Sequence, residues 1–134
     1  MKKTNRRSLC PISTTLEMLG DKWALLIIRD MIFRGMQTFS EFLKANEKIA
    51  TNTLANRLMN LELNGLIEKK DYPGNKVKVL YKLTPKGLDL MPVLLELVLW
   101  GDKYFETDED ARSLAASIRS DRDGLIKYLR DKHT

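Results

Sequence analysis

Side chains that can read DNA bases are concentrated in one stretch of this chain. Residues 51–64 are predicted to form a helix, because Leu54, Leu58 and Leu61 recur at i, i+4 and i+7. Burying these leucines leaves amides, hydroxyls and one guanidinium on the opposite face. Asn can pair bidentately with adenine and Arg with guanine in the major groove, and a helix start can bind phosphate. The candidate DNA-contacting residues of this helix are Thr51, Asn52, Thr53, Asn56, Arg57 and Asn60.

A basic segment follows directly. Residues 66–86 hold six lysines against two acidic residues, and Val77, Val79, Tyr81 and Leu83 alternate at strand spacing. Residues 72–75, Tyr-Pro-Gly-Asn, are typical of a turn, so the segment is predicted to be a β-hairpin. A lysine-rich hairpin beside a polar helix can contact the same DNA duplex as that helix. Its candidate DNA contacts are Asn75, Lys76 and Lys78.

Each half of this pattern has a simpler interpretation. A polar helix face is typical of any surface helix, and clustered lysines are typical of a solvated surface. The two elements in succession favour nucleic-acid binding over either alternative. A winged-helix module that binds proteins without binding DNA stays open as a second hypothesis; it would expose an apolar recognition face.

The elements that must position these residues can be predicted in order. A short helix begins after Pro11 and ends at Gly20, and a buried helix begins at the cap Asp21 and ends at Gly35. Thr38 and Glu41 form a capping box for a short helix over residues 39–43. One long helix over residues 85–105 and two further helices follow the hairpin. The fold class is mainly α with a small β-hairpin wing: a winged helix-turn-helix with extra terminal helices.

The composition argues against other classes of protein, such as secreted, membrane-spanning or metal-dependent ones. The 134 residues carry a net charge of +5, and the single cysteine excludes an internal disulfide, so we expect a cytoplasmic chain without signal peptide or membrane span. Residues 1–9 are predicted to be a flexible basic arm, 10–105 the winged helix-turn-helix domain with its dimerisation helices, and 106–134 added helices of the same domain. The only histidine is His133, and no metal cluster or glycine-rich phosphate loop is evident. We therefore expect no enzyme, metal or cofactor.

Residues 10 to about 105 resemble the HxlR-type winged-helix regulators. The resemblance is carried by Cys10-Pro11, residues 15–23, 39–42, 49–54 and 64–67, by Leu58 and residues 61–62, and by residues 72–73, 79–87 and 100–101. It implies a transcription regulator that binds an inverted repeat in double-stranded DNA as a homodimer. It also implies dimerisation through the first helix and the helix at 85–105. An unknown small-molecule effector is compatible with it.

The helix predicted at residues 85–105 supports a dimer independently. It is apolar nearly all round, so more than one of its faces should be covered, by a partner or within the monomer. Trp23 and Trp100 are predicted to be core residues.

Cys10 is the candidate sensor of oxidants or electrophiles. Some members of the family sense such agents through a cysteine at this Cys-Pro position. The alternative is a small buried hydrophobic residue.

Overall fold

The computed structural model describes residues 6–134, except for the side chain of Lys76. Residues 1–5, the larger part of the predicted basic arm, lie outside the described residues. The helices are α1 Pro11–Leu19, α2 Lys22–Arg34, α3 Phe39–Leu43, α4 Thr51–Leu63, α5 Pro85–Leu88, α6 Met91–Tyr104, α7 Glu109–Ser120 and α8 Arg122–Lys132; the strands are β1 Ile67–Tyr72 and β2 Asn75–Leu83. The predicted α class with one hairpin is confirmed.

Short-range capping interactions define the first helices. The Asp21 carboxylate accepts a hydrogen bond from the Ala24 amide at 3.0 Å, and Gly35 ends α2 in the left-handed conformation at φ 65°. At α3 the Glu41 amide donates to Thr38 Oγ1, while Glu41 Oε1 accepts from the Thr38 amide at 3.0 Å. The capping box predicted from the sequence is thus confirmed.

The core lies where α2 meets α4, the hairpin and α6. Ile28 and Ile32 of α2 are fully buried, and they share one cluster with Leu54, Leu58 and Leu61, as the leucine spacing predicted. Burying one such side chain contributes roughly 1.5–3 kcal/mol, so this row attaches α4 firmly to the core.

The hairpin is antiparallel and carries a bulge near its tip. Ile67 pairs with Leu83 and Asp71 with Val79, but Tyr72 pairs with Asn75, so the register shifts between Asp71 and Tyr72. Extra residues on one strand of a pair turn side chains away from the regular alternation. Val77, at this bulged tip, is 92% exposed, whereas Tyr81 and Leu83 of the same strand are buried.

The prediction of one helix over residues 85–105 is wrong. Two helices occupy this range, α5 and α6, and they separate at Asp89 and Leu90. Pro92 is the physical reason: it has no amide hydrogen to bond to the Leu88 carbonyl, and its ring would clash with that carbonyl in a continuous helix. Pro92 is instead accommodated in the first turn of α6, where amides have no intrahelical acceptor.

The last two helices pack onto the same core. Asp108 caps α7 through the Ala111 amide, and Asp121 caps α8 through the Gly124 amide. Ile118 and Leu129 are buried in the main hydrophobic cluster. Within residues 6–134 no helix has the length and apolarity that a membrane span requires.

Candidate nucleic-acid interface

Helices α3 and α4 form the helix-turn-helix, and an ion pair attaches their connection to α2. Arg29 donates to both carboxylate oxygens of Glu47 at 2.8 Å, a bidentate contact between α2 and the turn. This hydrogen bonding lowers the pKa of Glu47 to about 2. Arg29 and Arg34 also contact the buried Asp30, at 2.9 and 3.0 Å. The turn that orients α4 is therefore held by charges on α2.

The outward face of α4 is a row of amides. Asn52, Asn56 and Asn60 are exposed and recur every four residues, so they lie along one side of the helix. Thr51 is exposed at the first turn. The N-cap residue Ala50 supplies no side-chain acceptor, so the first amides of α4 remain available to an external anion.

Arg57 lies in a second row with Thr53, and both are half-buried. Its Nε donates to Asp21 Oδ1 at 3.0 Å, and its Nη1 donates to Asn56 Oδ1 at 2.6 Å. Burial would raise the pKa of Asp21, but the hydrogen bonds from Arg57 and the Ala24 amide outweigh it, and the pKa lies below its ordinary value. Arg57 thus connects the start of α2 to the amide row.

The hairpin tip is organised by Asn75. Its Oδ1 accepts hydrogen bonds from the amides of Val77 and Lys78, at 2.9 and 3.3 Å, which shapes the bulged tip. Lys78 is exposed, with its ammonium 5.2 Å from the centroid of the Tyr72 ring. The side chain of Lys76 lies outside the described part of the chain.

Three other hairpin-region lysines have protein partners. Lys69 lies 3.8 Å from Glu62, Lys70 lies 3.7 Å from Glu68, and Lys86 donates to the Asn64 carbonyl at 2.9 Å. The basic segment is therefore less available to DNA phosphate than its lysine count suggests.

The structure brings the helix and hairpin candidates together around one helix-turn-helix, but the role of each residue stays a prediction. Sequence reasoning identified Asp21 only as a helix cap and missed its contact with Arg57. Nothing in the local spacing indicates a pair separated by 36 positions.

Cys10 is exposed at the start of α1. The alternative that it is a small buried hydrophobic residue is therefore wrong. Its carbonyl accepts the Thr14 amide at 2.9 Å, so the backbone of Cys10 is fixed at the N-cap of α1.

The outward face of α6 is apolar. Val93, Leu97, Trp100 and Tyr104 follow i, i+4, i+7 and i+11 spacing and are 45–60% exposed. Trp100 was predicted to be a core residue and is not one, because the buried row of α6 is formed by Met91, Leu94 and Leu95. We call the four exposed residues Val93, Leu97, Trp100 and Tyr104 the apolar stripe.

A helix-turn-helix followed by a β-hairpin, with polar residues along its second helix, defines a winged-helix DNA-binding protein. Comparison with known proteins is more specific. The family model described as HxlR-like helix-turn-helix matches residues 18–109. The chain belongs to this family of transcription regulators.

Named relatives agree with this assignment. YdeP of Bacillus subtilis, an HTH-type transcriptional regulator, is 39% identical over 95 residues, which cover 71% of this chain and 73% of YdeP. The reduced form of YodB from B. subtilis superposes with a TM-score of 0.60 at 35% identity, over 75% of this chain and all of YodB. The redox regulator HypR, in its reduced form, superposes with a TM-score of 0.61 at 28% identity, over 89% of this chain and all of HypR. YodB structures also exist after diamide treatment and with bound quinone.

Proposed function

We propose that this regulator reads a specific double-stranded DNA sequence through the amide row of α4. The observation that carries the proposal is the exposed series Asn52, Asn56 and Asn60 on the second helix of the helix-turn-helix. Each amide offers one acceptor and two donor hydrogens, which matches the adenine edge in the major groove. These three positions present amides, which favours DNA over the protein-binding alternative, although Met59 and Leu63 of the same helix are also exposed.

Arg57 has two roles in this proposal. In the free protein it orients Asn56 by donating to its Oδ1, and Asp21 holds the guanidinium in place. Its Nη2 has no hydrogen-bond partner in the described part of the chain, so it can reach guanine or phosphate while the Asp21 contact persists. Thr51 and the first amides of α4 bind phosphate, Thr53 borders them, and Asn75, Lys76 and Lys78 bring the wing to the backbone.

The DNA-bound form is a homodimer on an inverted repeat. The apolar stripe of α6 supports it, because four large apolar side chains in one row remain uncovered by residues 6–134 of the same chain. Ile12 and Leu16, both exposed on α1, extend the apolar surface available to a second copy. With two-fold symmetry, the half-site centres lie about 10 bp apart or a multiple of that. Binding to chromosomal DNA implies a cytoplasmic location.

Within this proposal, residues 10–105 form the DNA-binding domain with its dimerisation helices, and residues 106–134 are part of the same domain. The burial of Ile118 and Leu129 in the common core supports the inclusion of residues 106–134 in this domain.

Selection from fragmented genomic DNA tests the proposal. We expect enrichment of sites sharing an inverted repeat, and a gel shift that is retained against excess random DNA. Asn56→Ala should relax the preference at one base pair of each half-site. Ser113→Ala, an exposed position of α7, is the matched control. Binding of all sequences alike would contradict specific readout, and no DNA binding at all would favour the protein-interaction module.

We further propose Cys10 as the sensor, supported by its exposure and by the diamide-treated and quinone-bound forms of YodB. A quinone would be attacked by the Cys10 thiolate at a ring carbon, forming an S–C bond, and the ring would regain aromaticity as a hydroquinone after taking up a proton. Diamide would accept two electrons and two protons from two thiols. The disulfide must then join two subunits, since the chain has one cysteine.

The sensor test compares DNA affinity before and after each agent, in wild type and Cys10→Ser. We expect a loss of affinity in the wild type only, because a modification beside α1 would alter the dimer and its half-site spacing. Equal affinities in all samples would exclude Cys10 as a switch for these agents.

A further inference from the structure

A cavity of about 330 Å³ lies between the hairpin, the end of α2 and the residues that follow α8. Its walls come from the end of α2, from β2 and from the last residues of the chain. In the hairpin, Glu68 pairs with Lys82 and Lys70 with Leu80, and these pairs alternate with the core-facing Ile67–Leu83 and Lys69–Tyr81 pairs. The cavity is lined by residues of both faces of β2: Leu80 and Lys82 from one face, and Tyr81 and Leu83 from the face that enters the core.

The lining divides by chemistry. Met31, Met36 and Leu80 form an apolar part, whereas Lys70, Lys82 and Lys132 supply ammonium groups. None of the side chains among the described lining residues is acidic, although the backbone of Thr134 is also part of the lining. Such a lining fits a molecule with an apolar body and a negative end: a neutral ligand would leave the ammonium groups unused, and a bare inorganic anion would leave the apolar part uncovered.

Two of the three lysines make weak exposed contacts that a ligand would have to replace. Lys70 lies 3.7 Å from the exposed Glu68 carboxylate, and Lys132 lies 5.5 Å from the centroid of the Tyr128 ring. Exposed contacts of this kind contribute little, so a ligand carboxylate can replace them. Lys82 is half-buried and has no ion pair within the described residues.

The chain end is fixed independently of any ligand. His133 Nε2 lies 3.1 Å from the Ile32 carbonyl oxygen, which can only accept, so Nε2 carries the proton. This bond holds residues 132–134 against α2. A ligand between Lys132 and Lys82 would therefore connect a fixed chain end to β2, the strand that carries Lys78 at the wing tip.

We propose that this cavity binds a small organic carboxylate and that this ligand is the regulator's effector; the effector role rests on the proposed function. The volume is at the small end of the range of about 300–1,000 Å³ for ligand pockets, which fits a single ring or short chain. Ligand binding braces the wing and so changes DNA affinity. By linkage, DNA must change ligand affinity by the same factor.

The binding test uses sodium benzoate as the probe and neutral benzamide as its matched control. At constant ionic strength, benzoate should cause saturable shifts in the NMR amide signals of Gln37, Lys82 and His133, and benzamide should bind at least ten times more weakly. Lys82→Gln should weaken benzoate binding about tenfold, whereas Lys127→Gln, the same charge change on the exposed side of α8, should not. Lys132→Gln, which leaves the hairpin intact, should reproduce the loss. Absence of saturable shifts, or equal binding of benzamide, would overturn the site.

The effector test repeats the DNA-affinity measurement with saturating benzoate. A change of at least about fivefold, absent in Lys132→Gln, is expected for an allosteric ligand. Benzoate binding with unchanged DNA affinity would overturn the effector role. If the protein bound no DNA, the proposed function would fail, yet the benzoate titration would still decide the site.

Discussion

Helices α4 and α6 have nearly equal lengths, 13 and 14 residues, yet they present opposite surfaces to solvent. Both bury a row rich in leucine in the same core. Outside the core, α4 carries the amide row of Asn52, Asn56 and Asn60, and α6 carries the apolar stripe.

The comparison separates folding from recognition. The buried rows of the two helices are chemically alike, because the hydrophobic effect is non-directional and depends only on the apolar area that is buried. The outer rows differ in kind: amides make directional hydrogen bonds that distinguish base edges, whereas apolar side chains gain only by excluding water. One helix is thus suited to a duplex and the other to a second protein surface.

The largest expected effect on DNA affinity comes from a substitution in the apolar stripe. Leu97→Glu places a charge in the middle of an apolar surface, while the residue is already 52% exposed, so the monomer fold should tolerate it. We expect a monomer at micromolar concentration by sedimentation. DNA affinity should fall roughly 10²–10⁴-fold, because two half-sites are no longer bound by linked subunits.

The control for the stripe is Tyr128→Glu, which changes a residue of α8 that is 61% exposed. It should leave the dimer intact. If the Leu97→Glu protein still sedimented as a dimer, the stripe would not be the interface, and the contrast between the two helices would lose its meaning.

A smaller effect is expected on the amide row. Arg57→Ala should cost roughly 1–3 kcal/mol of DNA binding and relax sequence preference. Because Arg57 donates to Asn56, the double variant with Asn56→Ala should lose less than the sum of the two single losses. Quantitative gel shifts on the selected site and on single-base variants measure both. Unchanged affinity and preference in Arg57→Ala would contradict the assignment.

The wing should act without sequence preference. Lys78→Ala removes one exposed ammonium at the hairpin tip, so it should weaken all sequences alike and reduce the slope of log affinity against log salt by about one unit. Lys127→Ala on α8 is the control with the same charge change. A loss confined to the selected site would instead make Lys78 a base-reading residue.

The smallest effect concerns the ion pair that holds the turn before α4. The pKa of Glu47 is lowered from an ordinary value of 4.5 to about 2 by the hydrogen bonds from Arg29. A depressed pKa contributes stability that is present above the ordinary value and is lost as the pH falls through the folded value. Between about pH 5 and pH 2, Glu47→Gln should therefore flatten the pH dependence of the urea midpoint. Glu106→Gln, in the loop after α6, should follow the wild type; a parallel curve for Glu47→Gln would argue against the pair.

Much of the fold was predictable because its signals are local. Capping by Asp21 and the box of Thr38 and Glu41 depend on residues three positions apart. The leucine row of α4 follows from helical periodicity. The break before α6 also had a local signal, Pro92, but the continuous apolar run suggested one helix.

One prediction failed because exposure depends on neighbours. Trp100 is a large aromatic residue, which is typical of a core, yet the inner side of α6 is already filled by Met91, Leu94 and Leu95. Tertiary packing also leaves Val77 exposed at the bulged hairpin tip.

The sequence by itself determined the order of the elements, the polar row of α4 and the membership of a regulator class. These depend on periodicity, caps and motifs within short windows. Only the tertiary structure decided that Arg57 pairs with Asp21 and that Lys82 and Lys132 share one cavity. The reason is physical: contacts between residues far apart in the chain depend on how complete elements pack, and no spacing along the chain encodes that geometry.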